Sequence, residues 1–332
     1  IQAIAGYISK SKLPTKEESN ICNNDLSPTD LFTGSHWPSF GFDSSNSRNQ
    51  INTTISSSNV EKLELRWSFG IKNVQVRSQP VVIGKMVLLS GANTLYAVDR
   101  EKGCIYWSFQ SKSQIRNSAA FDKQTEDAIY IIDNNFGVYK LKAVDGSLIW
   151  KTKIPKEHES NTPSASPLQV DRYLLIPVST YETVMAMDPR YECCQSSGAM
   201  VAIDTETGNI LWNHRVEQKP KNVGKGFISR SKKYAPSGSA VWNSPAVDIK
   251  EGRVFFGTGQ SLQSPASNVS DAIITLDLET GKRIWSTQTL AGDAYNVGRE
   301  VPVVSRMVCP KENGPDFDFG ASVIQSLDIN GK

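Results

Sequence analysis

Five cysteines offer the first chemistry in this chain: Cys22, Cys104, Cys193, Cys194 and Cys309. Cys193 and Cys194 are neighbours. Two readings stand open for that pair. They are two separate buried or free thiols, or they are oxidised to a ring closed between neighbours, in a compartment that permits disulfides. No Cys-x-x-Cys and no Cys-x-x-Cys-His occurs, so the sequence holds neither a zinc ribbon nor a haem attachment site. A lysine-rich run, QKPKNVGKGFISRSKK from Gln218 to Lys233, reads as a solvated surface loop or as a docking patch for an acidic electron-carrier protein. Asn52-Thr53-Thr54 and Asn268-Val269-Ser270 fit the glycosylation acceptor pattern, which also arises by chance.

A repeated unit must position these residues. A tail built on Asp-x-x-x-Gly-x-x-x-Trp recurs as LYAVDREKGCIYW (Leu95 to Trp107), VYKLKAVDGSLIW (Val138 to Trp150), MVAIDTETGNILW (Met200 to Trp212) and IITLDLETGKRIW (Ile273 to Trp285). A fifth copy, IQSLDINGK, starts at Ile324, and LRWSFG around Trp67 reads as the close of an earlier unit. Trp67, Trp107, Trp150, Trp212 and Trp285 follow one another at steps of 40, 43, 62 and 73 residues. The unit is therefore about 40 residues plus variable loops. Within a tail, apolar and polar residues alternate, as in Leu95-Tyr96-Ala97-Val98-Asp99, which suits a strand with one buried face. A tight turn such as Thr205-Glu206-Thr207-Gly208 follows, its Gly supplying positive φ. Further β-rich stretches precede the tails, at Pro80 to Gly91 and Pro245 to Gly259. Four short antiparallel strands per unit make the blade of an all-β propeller, and blades must stack to bury both faces. The tail tryptophans are expected to pack between blades.

The 332 residues carry a net charge of +2, with 21% charged residues, which shows no bias toward nucleic acid or membrane. No apolar run approaches the roughly 20 residues of a membrane span. The chain starts without Met and stops inside a repeat, so a processed fragment of a longer protein is expected. Residues 1–12 read as the end of an amphipathic helix and residues 13–35 as loop. HWPSFGFDSSNSRNQ, His36 to Gln50, leads into the first strands. Residues 286–320 form a long turn-rich insertion, of the kind that builds sites on one propeller face.

Five stretches carry a family likeness: RSQPVV from Arg77, KGCIYWSFQ from Lys102, ECCQSSG from Glu192, PSGSAVWNSPAVD from Pro236 and GPDFDFGAS from Gly314. With the tails, they resemble the pyrroloquinoline quinone (PQQ) dehydrogenases, the quinoprotein propellers, and within them the polyvinyl-alcohol dehydrogenases. The likeness covers nearly the whole chain. It implies eight blades in the intact protein, about five to six of them here. It also implies two regions: residues 1–35 as the end of an upstream cytochrome c-like domain plus linker, and residues 36–332 as a PQQ-type propeller incomplete at its C-terminus. A periplasmic or secreted location follows from the same likeness.

PQQ is a planar tricarboxylate with a reactive ortho-quinone. A protein holding it needs flat surfaces, cationic or hydrogen-bonding groups and a divalent cation. The resemblance assigns Trp242, in GSAVWNSP, as the floor beneath the cofactor, and Arg116, in SQIRNSAAF, to the quinone oxygens and a carboxylate. Ser164 and Ser179 fall at hydroxyl positions facing the PQQ carboxylates. Glu182, in STYETV, falls at the calcium carboxylate, for calcium or a lanthanide. Gln260 stands where the family has a metal-binding Asn. In GDAYN, Gly292 to Asn296, Asn296 replaces the catalytic Asp that also neighbours the metal, which leaves Asp293 as the nearest acid to serve as base.

The implied function is PQQ- and calcium-dependent oxidation of alcohols, polymeric or secondary alcohols included, with electrons passed to a cytochrome c. Neither a nucleic acid nor a membrane span enters this reading. The alternative is a cofactor-free propeller acting as a binding or scaffold protein. Trp242, Glu182 and the cysteine pair favour the enzyme; Asn296 and Gln260 favour the scaffold.

Overall fold

The computed structural model describes residues 21–22, 31–71, 76–226, 230–302, 310–312 and 314–326. The stretch read as a helix end at residues 1–12, Cys309 and the fifth tail beyond residue 326 lie outside them.

The described residues form four successive antiparallel sheets. The first joins β1 (His36–Trp37), β2 (Val81–Ile83), β3 (Met86–Gly91), β4 (Thr94–Asp99) and β5 (Ile105–Gln110). The second joins β6 (Ala120–Phe121), β7 (Ala128–Ile132), β8 (Gly137–Lys142) and β9 (Leu148–Lys153). In the third, β10 (Asn161–Thr162) and β11 (Leu168–Val170) both pair with β12 (Tyr173–Thr180), followed by β13 (Ala199–Asp204) and β14 (Ile210–Arg215). The fourth joins β17 (Ala246–Asp248), β18 (Arg253–Gly257), β19 (Ala272–Asp277) and β20 (Arg283–Gln288). Between the third and fourth sheets stands a separate hairpin, β15 (Lys221–Lys225) with β16 (Lys232–Ala235). The lysine-rich run therefore forms a hairpin rather than a loop. No helix among the described residues is long and apolar enough to cross a membrane.

Burial follows strand position. All five residues of β7 are buried, whereas β9 and β20, last in their sheets, are largely exposed. Three apolar clusters lie between successive sheets. Leu88 and Leu95 meet Ile129 and Leu141, Tyr130 and Val138 meet Ile176 and Val201, and Leu175 and Ala202 meet Val254 and Ile274. Each sheet thus buries both faces only through its neighbours, as the repeat requires.

The tail residues explain the lock between blades. Asp99 Oδ1 accepts from the backbone N–H of Glu101 (2.8 Å) and Lys102 (2.6 Å), and Gly103 N–H closes the turn onto Asp99 O (2.9 Å). Asp204 and Asp277 do the same work in their turns. In the second tail Lys142 occupies the Asp place, and Asp145 instead accepts from Ser147 N–H (2.8 Å). Trp107, Trp150 and Trp212 each then lie on the turn Gly of the next blade and donate their indole N–H to that turn. Trp107 Nε1 donates to Ala143 O (3.2 Å), Trp150 to Thr205 O (3.2 Å) and Trp212 to Leu278 O (2.9 Å). Trp67 Nε1 does likewise to Arg100 O (2.9 Å), beside Gly103, so LRWSFG acts as the outer edge of a preceding unit. The expected packing between blades holds for Trp107, Trp150 and Trp212; Trp285 meets Phe255 of its own sheet and is 40% exposed.

The segment after β1 ties the second and fourth sheets. Phe121 N–H donates to Pro38 O (2.9 Å) and Val247 N–H to Ser44 O (2.6 Å). The buried Asn46 donates its amide to Pro245 O (2.9 Å) and Val323 O (3.1 Å). Packing also begins ahead of His36, because Leu31 is buried in the first cluster with Phe32 against it. Cys22 is joined to Cys104 by a disulfide with Cα atoms 5.2 Å apart, which fixes residues 21–22 to the edge of β5.

Candidate active site

A cavity of about 460 Å³ opens where the ends of the third and fourth sheets converge with the segments before β2 and β6. Arg116, Ser164, Ser179, Trp242 and Gln260, far apart in sequence, all line it. Arg77, Thr162, Thr180 and Asp318 line it too, without having been singled out as site residues. A larger cavity, about 640 Å³, lies between Phe32 and the second sheet, lined by Val144 and Ile149, and none of the expected site residues reaches it.

Local structure explains the placement. Ser179 and Thr180 end β12, and Thr162 pairs with Ser179 across to β10, so three hydroxyl residues share one wall. The opposite wall is an extended segment around Gly238. Gly198 N–H donates to Gly238 O (2.8 Å), and Ser239 N–H donates to Gln260 O (2.8 Å). Gly238 has φ of +100°, and a Cβ there would come within 2.6 Å of Gln260 O, so only Gly fits between these backbones.

Trp242 follows this wall. Its indole is 41% exposed, so part of the ring surface is open in the cavity. Its six-membered ring lies against Gly320, where a Cβ would come within 2.4 Å. Its Nε1 donates to Asp318 Oδ2 (2.9 Å). Backbone contact and hydrogen bond together hold the indole plane in place.

The two arginines supply positive charge. Arg116 is held below its ordinary pKa by burial and by Arg77 beside it, and a guanidinium stays charged regardless. Among the described residues no carboxylate pairs with Arg116. An anionic ligand would offset that cost.

Negative charge gathers at another corner. Asp318 accepts from Gln260 N–H (2.8 Å) and from Trp242, and packs so close to Gly259 that a Cβ there would fall within 2.5 Å of its Oδ1. Asp316 accepts from the Gln260 side-chain amide (2.8 Å). Desolvation first, then neighbouring carboxylates, push Asp316 up to about 6 and the buried Asp271 up to about 8. Desolvation also raises Asp318, against the hydrogen bonds from Gln260 and Trp242.

Three expected residues do not line the cavity. Asp293 is buried, and its carboxylate accepts from the N–H of Phe317 (2.9 Å) and Asp316 (3.4 Å). Asn296 is buried and donates to Leu262 O (3.1 Å). Glu182 opens the short helix α1 (Glu182–Met185), between Tyr181 and Thr183 on the cavity wall. Its own carboxylate is buried, accepting from Tyr191 Oη (2.9 Å), Gln195 N–H (2.9 Å) and Ser196 N–H (2.7 Å). Beside it Cys193 and Cys194 are joined in a vicinal disulfide, which decides the pair in favour of oxidation. The disulfide lies behind Leu262, a cavity residue, with Cys194 Sγ 4.0 Å from Leu262 O. Asp318, Asp316 and Arg77 were missed as site residues, although each lies in a stretch that carries the likeness, GPDFDFGAS or RSQPVV.

Tandem blades locked by Trp–Gly contacts, around a cavity with two arginines and an open indole, define a propeller of the quinoprotein type. A family model described as glucose/ethanol/alcohol dehydrogenase, beta-propeller domain, matches residues 145–304, and one described as outer membrane protein assembly factor BamB matches residues 49–192. The chain is 30% identical over 321 residues to a polyvinylalcohol dehydrogenase of Sphingopyxis sp., covering 94% of this chain and 48% of that protein. A polyvinylalcohol dehydrogenase of Pseudomonas sp. is 28% identical over 308 residues, covering 91% and 47%. The crystal structure of quinohemoprotein alcohol dehydrogenase from Comamonas testosteroni shares the fold, with a TM-score of 0.65 at 19% identity over 90% of this chain and 44% of that one. The chain is similar to the PQQ-type alcohol dehydrogenase propellers over nearly its whole length and shares their fold. It spans about half the length of the curated relatives it matches.

Proposed function

We propose that this chain holds PQQ and a calcium or lanthanide ion in the 460 Å³ cavity and contributes the site for oxidising alcohols. Polymeric or secondary alcohols are included, with electrons leaving to a cytochrome c in the periplasm or outside the cell. The supporting observation is that five residues assigned from the likeness share one cavity, with Arg116 uncompensated by any described carboxylate.

The donor set suits the cofactor. Arg116 and Arg77 would take its carboxylates, with Thr162, Ser164 and Ser179 donating hydroxyl hydrogen bonds, and Trp242 would carry its plane. Asp318 and the amide oxygen of Gln260 are hard oxygen donors on the same wall and would hold the cation. Glu182 could join only by giving up N–H donors at Gln195 and Ser196. When bound, PQQ supplies a two-electron acceptor and the cation polarises its quinone carbonyl.

Asp318, rather than Asp293, is our candidate base. Asp318 reaches the cavity, whereas the carboxylate of Asp293 is spent on two backbone N–H groups. Two hydrogen bonds favour its ionised form, while desolvation keeps it more basic than a solvated Asp, as a proton acceptor needs. Its task is to take the hydroxyl proton of the alcohol while Trp242 stays fixed through Nε1.

Calorimetry of the full chain with calcium, with and without PQQ, tests this reading. We expect each ligand to raise the affinity of the other by the same factor. Asp318→Asn should leave PQQ binding without calcium intact, weaken calcium binding and lose alcohol oxidation. No PQQ binding, or oxidation intact in Asp318→Asn, would overturn the assignment. The scaffold reading draws on the BamB match over residues 49–192. It needs neither the open indole nor the two arginines, and a chain inert toward PQQ would favour it.

A further inference from the structure

We propose that the β15–β16 hairpin is the docking surface for an acidic one-electron acceptor protein. The inference rests on the redox reading above and adds to it where electrons leave.

Residues 218–233 carry six cations, Lys219, Lys221, Lys225, Arg230, Lys232 and Lys233, and no carboxylate, in a chain whose net charge is only +2. All five residues of β15 are exposed. Lys232 pairs with Glu192 (3.6 Å). Among the described residues no carboxylate pairs with Lys219, Lys221, Lys225 or Arg230. A solvated face usually interleaves both signs, and this one does not.

Position is the second, independent observation. The hairpin belongs to none of the four sheets. Its inner strand is seated on the vicinal disulfide: Tyr234 N–H donates to Cys193 O (2.9 Å) and Cys194 N–H to Tyr234 O (3.4 Å). The disulfide packs against Leu262, which lines the cavity. Leu262 and the disulfide therefore separate the cavity from a strand whose outer partner is cationic and solvent-facing. A charged patch raises the encounter rate of a partner of opposite sign, and a patch this close to the cavity places that partner within short reach of it. An anionic lipid surface would meet the same charges but would gain nothing from nearness to the cavity.

The test uses the full chain and an acidic c-type cytochrome as probe. Binding is followed first without cofactor, as association rate against ionic strength. With PQQ and calcium present, reduction of the cytochrome is then compared with reduction of a small neutral dye. Reversing Lys219, Lys221 and Lys225 together to Glu should slow association about tenfold or more at low salt and flatten its salt dependence. Dye reduction should be unchanged, which also shows that the variant folds. The matching Lys→Arg triple should behave as the original. Unchanged association and salt slope in the Glu variant would overturn the proposal, as would binding to vesicles containing phosphatidylglycerol but not to the cytochrome. Failure of the dye assay in the unmodified chain would instead count against the alcohol-oxidation reading, with the cofactor-free binding result still deciding the docking surface.

Discussion

Gly281 and Gly252 separate the two reasons why a turn in this fold needs glycine. Both lie in the fourth sheet with nearly the same backbone, φ of +67° and +63°. A Cβ at Gly252 would meet nothing within 4 Å, whereas one at Gly281 would come within 2.5 Å of Trp212. Gly252→Ala should therefore carry only the left-handed backbone penalty, about 1–2 kcal/mol. Gly281→Ala adds displacement of a nearly buried indole, about 1–3 kcal/mol for overpacking, and strains its hydrogen bond to Leu278 O, worth about 1 kcal/mol. The expected totals are about 1–2 kcal/mol against about 3–5 kcal/mol. Gly208→Ala should fall between, since its nearest indole atom would be 3.1 Å away. Urea midpoints on the full chain measure all three. Adding Trp212→Leu should bring the cost of Gly281→Ala down to that of Gly252→Ala, as in a double-mutant cycle. Equal costs at the two glycines in the original background would refute the blade lock.

Trp242→Ala should weaken PQQ binding roughly tenfold or more, from lost area plus about 0.5–1.5 kcal/mol of stacking, with a much smaller loss of stability because the indole is 41% exposed. Unchanged PQQ affinity by calorimetry would make Trp242 a framework residue only. Titrating thiols in denaturant without reductant should find no more than one, because four of the five cysteines are bonded in pairs, and five after reduction. Asp271 gives a pH test on the ligand-free chain. Its pKa is raised to about 8, by burial first and then by Asp293, Asp318 and Asp316, so the folded chain keeps a proton that the unfolded chain has released. Stability should fall as pH rises from about 4 to about 8, and Asp271→Asn should flatten that slope. The same slope in both proteins, read from denaturation midpoints, would contradict this.

The fold was legible because its determinants are local. The turn Asp, the turn Gly and the Trp sit within nine residues of one another, so each tail announces its turn and its contact with the next blade. Even the second tail keeps Gly146 and Trp150 while Lys142 replaces the Asp, since Asp145 takes over a backbone contact. Ser179 at the end of β12 and Trp242 after the Gly238 segment, both assigned from the family likeness, line one cavity. The direction of a carboxylate was not legible. Glu182 lies between two cavity residues, yet its oxygens are drawn inward by N–H groups at Gln195 and Ser196, thirteen and fourteen residues on. The lysine-rich run gave no alternation to mark it as paired strands, because β15 faces solvent along its whole length and β16 buries only Ala235 fully.

The charge map of the cavity carries the last step. Positive charge sits at Arg77 and Arg116, and negative charge at Asp316 and Asp318, with Asp293 close enough to raise both and Asp271 raised in turn by burial and these three acids. Among the described residues no carboxylate pairs with Arg116, which is lowered by burial and its neighbouring arginine, and the acids are raised by burial and by one another. Such an arrangement suits a ligand that is anionic at one end and is met by a cation at the other. In the reading proposed here, the cofactor's carboxylates offset the arginines, and a metal ion offsets the aspartates beside the indole. Binding either alone leaves one imbalance in place, and binding both removes the two together. Cooperativity between metal and cofactor is therefore expected from charge alone, whichever of Asp318, Gln260 and Glu182 proves to hold the ion.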